Sequence, residues 1–172
     1  MLDVALKYKD ELQNLFIDTF HKEKYKFYHY NSYYSELQLK EDTWNAHEFV
    51  SVDKQGNVIG FISYEINRVP LSVCGLGIIN FSDNRFTFGK DVIQAIKDVF
   101  EKYNFRKISF CVVIGNPIEK TYDKLVAKYG GRIVGIEKEH TVLYDHKFYD
   151  VKRYEILRED YIKAKEKTNE SN

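Results

Sequence analysis

Lys107-Ile108-Ser109-Phe110-Cys111-Val112-Val113-Ile114-Gly115-Asn116-Pro117 is the stretch on which the fold turns. A near-continuous apolar run of strand length reads as a strand buried on both faces, and so as the centre of a sheet. Pro117 suits the first position of a helix, because proline lacks the N–H that a helix start leaves unpaired. That helix is predicted to run to Gly130-Gly131, where glycine ends it. Upstream, Val92, Ile93, Ile96, Val99, Phe100 and Tyr103 form one apolar stripe, so a helix is predicted from about Phe88 to Tyr103. Downstream, residues 131–143 and 148–157 read as a hairpin around Asp145-His146-Lys147.

Farther toward the N-terminus, Phe49-Val50-Ser51-Val52 and Val58 to Tyr64 flank a polar loop containing Gly56, a second hairpin signal. Pro70 breaks the chain, and a third strand is expected over 71–81, with Gly75 and Gly77 marking a bulge or a close approach. Residues 3–23 look helical, with Tyr8, Leu12, Leu15, Phe16 and Thr19 on one face. A short helix is expected around 32–41, after an aromatic loop. Residues 163–172 form a polar tail expected to fray. The fold class is therefore α/β (α+β mixed): one domain over 1–162, with a mostly antiparallel sheet of six to seven strands flanked by helices.

With 172 residues the chain is long enough for one sizeable core. Lys+Arg and Asp+Glu are equal at 26 each, so nothing supplies the basic excess that duplex nucleic acid demands. No apolar run approaches the ~18 residues of a membrane span. The opening residues lack a signal-peptide pattern. Cys74 and Cys111 both lie in apolar stretches and read as buried, reduced thiols, so the expected setting is the cytoplasm. His21, His29, His47, His140 and His146 are scattered, and no metal-ligand spacing, GxSxG elbow or P-loop is present. Gly75-Leu76-Gly77 falls within a strand and lacks the third glycine of a dinucleotide fingerprint. What remains is a helix start placed beside a central strand end, which offers N–H groups and a positive dipole end to a phosphate-bearing ligand.

The order of elements over residues 47–158 resembles the GNAT superfamily of N-acetyltransferases. The likeness is sharpest at Gly115-Asn116-Pro117, at Lys128-Tyr129-Gly130-Gly131, and at Asp145-His146-Lys147-Phe148-Tyr149-Asp150 with Tyr154. The closing hairpin is similar to that of the ribosomal-protein alanine acetyltransferase branch, with His146 in place of a usual glycine and Gly131 in place of a usual phenylalanine. The resemblance implies acetyl-CoA as acyl donor, an amine acceptor, and no metal. It also implies two splayed central strands, here 71–81 and 107–114, with the pantetheine arm in the gap.

On that reading Ile79, Asn80 and Phe81 offer backbone groups to the arm. The amides of Phe88, Gly89, Lys90 and Asp91 face the pyrophosphate, with charge from Arg85 and Lys90. Only Gly89 matches the family's glycine motif, and Asp91 must point outward, because a carboxylate facing phosphate repels it. Asn116 either bonds the arm or holds the splay; its side chain equally suits capping the helix that follows. The family's general acid is a tyrosine about seven residues after that asparagine. Tyr122 lies six after Asn116, whereas counting back from Gly130 reaches Val126, and Tyr122 equally fits a packed core position. Glu65 and Asp83 are candidate bases, and each also reads as solvated charge. The resemblance thus implies an acyltransferase working by direct attack. The rival reading is a non-catalytic CoA-binding or interaction module. A homodimer is compatible with either.

Overall fold

The computed structural model describes residues 1–20, 22–28 and 36–170. Seven strands form one sheet in the order β1-β2-β3-β4-β5-β7-β6. They are β1 (Leu2–Val4), β2 (Ala46–Val52), β3 (Val58–Asn67), β4 (Ser72–Asn80), β5 (Lys107–Val113), β6 (Arg132–Val142) and β7 (Phe148–Leu157). The helices are α1 (Lys9–Ile17), α2 (Arg85–Glu101), α3 (Glu119–Lys128) and α4 (Arg158–Glu170). Every strand pair is antiparallel except β4 with β5. No helix among the described residues is long and apolar enough to cross a membrane.

The sheet buries both faces at its centre. Consecutive residues of β3 point opposite ways. Phe61 packs with Leu12 of α1 and with Val50, Val58 and Ile79, while Ile62 packs with Phe88 and Ala95 of α2. The larger core lies on the α2 face. There Ile96, Val99 and Phe100 of α2, Tyr122, Leu125 and Val126 of α3, and Tyr161 of α4 close over Ile108, Phe110, Val112, Tyr154 and Ile156. Burying each such side chain contributes about 1.5–3 kcal/mol. Tyr161 stacks on Phe100 at 4.7 Å between ring centres, so α4 is held to the body of the fold.

Four expectations from the sequence need correction. Residues 2–4 are not the start of a helix but a strand, because Leu2, Asp3 and Val4 find open partners in Ser51, Val50 and Phe49 of β2. The helix expected over 32–41 is absent from its described part, since residues 36–45 are irregular; 32–35 lie outside the described residues. The tail expected to fray after residue 162 instead continues α4 to Glu170. β5 is not buried on both faces: Ile108, Phe110 and Val112 are buried, whereas Ser109 and Cys111 are half-buried on the other side.

His47 lies under this core with its Nδ1 2.8 Å from the Tyr64 hydroxyl. The rings of Phe49, Tyr64, Tyr103 and Phe105 surround it. Burial holds its pKa below the usual imidazole value, with Arg68 and Lys102 adding to the effect. The unfolded chain therefore binds a proton that the folded chain resists. Stability is expected to be full above about pH 6.5 and to fall as pH drops below it. Thermal melts between pH 7.5 and 5 check this. His47→Gln, neutral throughout, should flatten that limb, and an unchanged slope in the variant would assign the pH dependence elsewhere.

Candidate active site

β4 and β5 touch only at one end. Ser72 pairs with Lys107 and Val73 with Ile108, and no further pair follows. Beyond that point the strands diverge, leaving a wedge in the middle of the sheet. The cause is local to β4. Ser63 of β3 pairs with Gly77 and Glu65 with Cys74, so Tyr64 faces two residues, Gly75 and Leu76. This is a bulge, and a bulge bends its strand away from regular pairing. Gly75 has φ of +64°, a conformation that glycine adopts without steric cost. The bulge and splay expected at these glycines are both present.

The phase of the β3–β4 ladder decides which backbone groups reach the wedge. Phe81 N–H donates to the Ile59 carbonyl at 3.0 Å. Alternate residues of an antiparallel ladder bond the same neighbour, so Ile79 spends its backbone groups on β3, while the Phe81 carbonyl accepts from the Tyr25 hydroxyl at 3.5 Å. Ile78 and Asn80 turn theirs the other way, toward β5. Of the three residues expected to offer backbone groups, Asn80 does so, and Ile79 and Phe81 do not. Ile78 takes their place, and only strand phase reveals it. The Asn80 side chain accepts from Ser82 N–H at 3.0 Å and shapes the turn into α2.

α2 begins at Arg85, three residues before the expected start. Its cap is Asn84, whose side-chain oxygen accepts from Thr87 N–H at 3.1 Å. Phe88 N–H donates to the Asn84 carbonyl at 3.3 Å, and Arg85 N–H to the Asp83 carbonyl at 2.9 Å. Phe88, Gly89, Lys90 and Asp91 therefore lie within the helix rather than presenting its free amides; the start is Asn84 to Thr87. Asn is a favoured cap, so Asn84 is the readable signal for this helix start. Asp91 does not point outward. Its carboxylate accepts from Ser51 Oγ of β2 at 2.6 Å and pairs with the amino group of Met1 at 2.8 Å. The carboxylate is thus held by partners of its own, against β2. Arg85, Gly89 and Lys90 instead meet along a surface groove of about 510 Å³, which Phe86, Ile93, Gln94 and Lys97 complete. Lys90 Nζ lies 4.2 Å from the centre of the exposed Phe86 ring. Three cations on one groove suit an anionic ligand.

At the end of β5, Asn116 caps the turn into α3: its side-chain oxygen accepts from Ile118 N–H at 3.1 Å. Tyr122 is buried, its ring edge-on to Phe110 of β5 at 5.2 Å and to Tyr154 at 6.2 Å. Its hydroxyl has no hydrogen-bond partner among the described residues, and burial pushes its pKa well above the tyrosine range. A phenol held protonated beside a wedge wall can donate a proton. Val126, the other position reached by counting, is a buried aliphatic residue that cannot. Glu65 and Asp83 are exposed, and Asp83 pairs with Lys24 at 3.3 Å. Burial raises both cysteine pKa values, so neither thiol is an activated nucleophile. No metal-holding group of His, Cys, Asp and Glu occurs among the described residues.

The segment 22–28 straddles the wedge on the α1 side. Lys24 reaches Asp83, just beyond β4. Lys26 reaches Asp145 at 3.0 Å in the β6–β7 turn, and Phe27 packs edge-on to Tyr149 at 6.3 Å. The Tyr149 hydroxyl, followed by Lys26, holds the Asp145 carboxyl down to about 2. Sequence has no local signal for such long-range ties. Part of the aromatic segment expected over the acceptor side, at residues 21 and 29–34, lies outside the described residues. His146 has φ of +58°, a left-handed conformation that favours glycine.

The fold as a whole is shared with solved structures. The chain has the GNAT fold. It matches a spermidine N-acetyltransferase from Vibrio cholerae in complex with CoA and spermine, with a TM-score of 0.71, 22% identity, and coverage of 94% of this chain and 97% of that one. It also matches spermidine/spermine N-acetyltransferase SpeG from Vibrio cholerae in complex with manganese ions, with a TM-score of 0.68, 21% identity, and coverage of 95% of each chain. No protein-family model and no curated protein sequence matches the chain.

Proposed function

We propose that this protein is an acetyl-CoA-dependent N-acetyltransferase acting on a primary amine in the cytoplasm. The observation that carries the reading is the early end of the β4–β5 ladder, which leaves Ile78 and Asn80 facing an open gap. An extended pantetheine arm would pair with that edge as an added strand does. Its phosphates would lie by the start of α2 and the groove of Arg85, Lys90 and Lys97. Asn84 occupies one of the helix-start donors, so this pyrophosphate contact leans more on those cations than the family's glycine motif does.

In the reaction the acceptor nitrogen attacks the thioester carbonyl carbon. The C–S bond breaks, the thiolate takes the Tyr122 proton, the amine's proton leaves to water, and water returns a proton to the Tyr122 phenolate. Backbone N–H groups at the bulge would polarise the thioester oxygen, and positioning would supply most of the rate. The acceptor class is a small or peptidyl primary amine. The CoA- and spermine-bound neighbour favours a polyamine, while the closing hairpin favours a protein N-terminus of the ribosomal alanine acetyltransferase kind.

Acetyl-CoA at ~100 times its dissociation constant is expected to stabilise the fold by about 2.7 kcal/mol. Differential scanning fluorimetry with and without acetyl-CoA reads that shift. A thiol-release assay with spermidine and an alanine-terminated peptide then separates the two acceptors. Absence of any shift at millimolar acetyl-CoA would sink the cofactor assignment. A shift without turnover across amines would leave the non-catalytic CoA-binding module as the better reading.

A further inference from the structure

No hydrogen bond among the described residues aims the Tyr122 hydroxyl; only the rings of Phe110 and Tyr154, both edge-on, hold the side chain. Where that hydroxyl stands therefore follows how α3 is rolled about its own axis. One cation governs the roll. Lys152 of β7 bonds the Glu119 carboxylate and, at 3.2 and 3.3 Å, the two oxygens of Asp123. Glu119 and Asp123 are one turn apart on α3 and share a face, and Tyr122 lies between them in the chain.

The Lys152 side chain is only 12% exposed, which sets it apart from solvated surface pairs that contribute little. Among the described residues it is the only cation within ion-pair distance of either carboxylate. Each carboxylate has a second tie. Asp123 accepts from the Tyr154 hydroxyl at 2.7 Å, and Glu119 from Gly115 N–H at 3.2 Å. The acidic face of α3 is thus fastened to β7 and to the turn after β5. The Tyr154 ring also stacks on Phe110 at 5.2 Å, so the residue that steadies Asp123 backs the Tyr122 ring as well. The bond to Glu119 holds the Lys152 pKa above the usual lysine value, and Lys152 holds that of Glu119 below the usual carboxylate value. Both partners therefore stay charged around neutral pH.

We infer that Lys152 is a positioning residue for the proposed reaction, fixing the roll of α3 that sets the Tyr122 hydroxyl beside the wedge. This role depends on the one proposed for Tyr122. Without the ammonium, two like charges one turn apart repel and draw that face of α3 toward water. A misplacement of about 1 Å can cost roughly 100-fold in rate. β7 lies beyond β5 from the gap, so Lys152 has no share in the β4 edge or the α2 start, where the cofactor is proposed to bind.

Lys152→Met keeps the stem and removes the charge. Steady-state thiol release from acetyl-CoA, run with spermidine and with an alanine-terminated peptide, is expected to show kcat lower by roughly 10- to 100-fold. KM for acetyl-CoA should not move, a split that general loosening of the fold would not give. In a Tyr122→Phe background the same change should leave kcat where Tyr122→Phe alone puts it, because the hydroxyl to be positioned is gone. Asp123→Asn still offers an oxygen to the Tyr154 hydroxyl but ends its ion pair. It should lower kcat in the same way by less, and it decides the case if circular dichroism shows Lys152→Met unfolded. A wild-type kcat in the folded variant, or a further fall of equal size in the Tyr122→Phe background, overturns this inference alone. Wild-type turnover in Tyr122→Phe, or no turnover by the wild type with either amine, overturns the reading beneath it and this inference with it.

Discussion

Tyr122→Phe is expected to lower kcat by roughly 100- to 10,000-fold, the range for loss of a positioned general acid. Stability should change little, because the hydroxyl has no partner among the described residues and its removal leaves no group unpaired. KM for acetyl-CoA should hold, since the ring remains against Phe110. The sign of the pH effect follows from burial. An acid works while protonated, and a pKa raised above the tyrosine range keeps Tyr122 protonated well past neutrality. The wild-type rate should therefore show no alkaline fall from this group below pH ~10, the ordinary tyrosine value. Steady-state thiol release, with circular dichroism as the folding control, measures all three. Turnover at the wild-type level in Tyr122→Phe would leave the residue as core packing alone.

Gly60→Ala should destabilise the protein by about 1–3 kcal/mol, the usual range for forcing extra volume into a packed core. A Cβ at Gly60 would sit 2.1 and 2.4 Å from the Phe88 ring and 2.9 Å from the Ile79 carbonyl oxygen. The first turn of α2 rests on β3 through that ring, so the same change should loosen the helix start and weaken acetyl-CoA binding. At this chain length each kcal/mol lowers Tm by about 2–4 °C. Phe88→Ala alone should cost about 3–5 kcal/mol. The two together should cost clearly less than their sum, because removing the ring makes room for the methyl. Denaturant melts of the four proteins close the cycle; strict additivity would mean that the ring contact is not what excludes the side chain.

Gly60 also shows where reading a sequence stops. It sits within a run of β-forming residues, and nothing local says that an aromatic ring from a helix twenty-eight positions later needs the space. Phe88 was legible as a helical residue but not as the foot of α2. The start of α2 is set by Asn84, which carries the cap, and not by Gly89, whose position in the motif says nothing of where the helix begins. β1 is invisible in the sequence, because a three-residue strand has no periodicity of its own and exists only through β2. The strap at 22–28 is equally silent in sequence, since Lys26 and Asp145 meet across more than a hundred residues.

Hydrophobic period, glycine and proline punctuation, and the order of elements were enough to determine the β-hairpins, α3 and most of α2, and to mark Gly75 and Gly77 as a bulge or a close approach; the splay beside them was implied only by the resemblance to the GNAT superfamily. The features read from the residues themselves depend on neighbours within a few positions, so a linear reading reaches them. Which of Ile78, Ile79, Asn80 and Phe81 faces the gap, where α2 presents its amides and what Asp91 touches were decided only by tertiary structure. Each depends on strand phase or on a contact between distant segments, and a shift of one residue inverts the answer while leaving the local pattern of the chain almost unchanged.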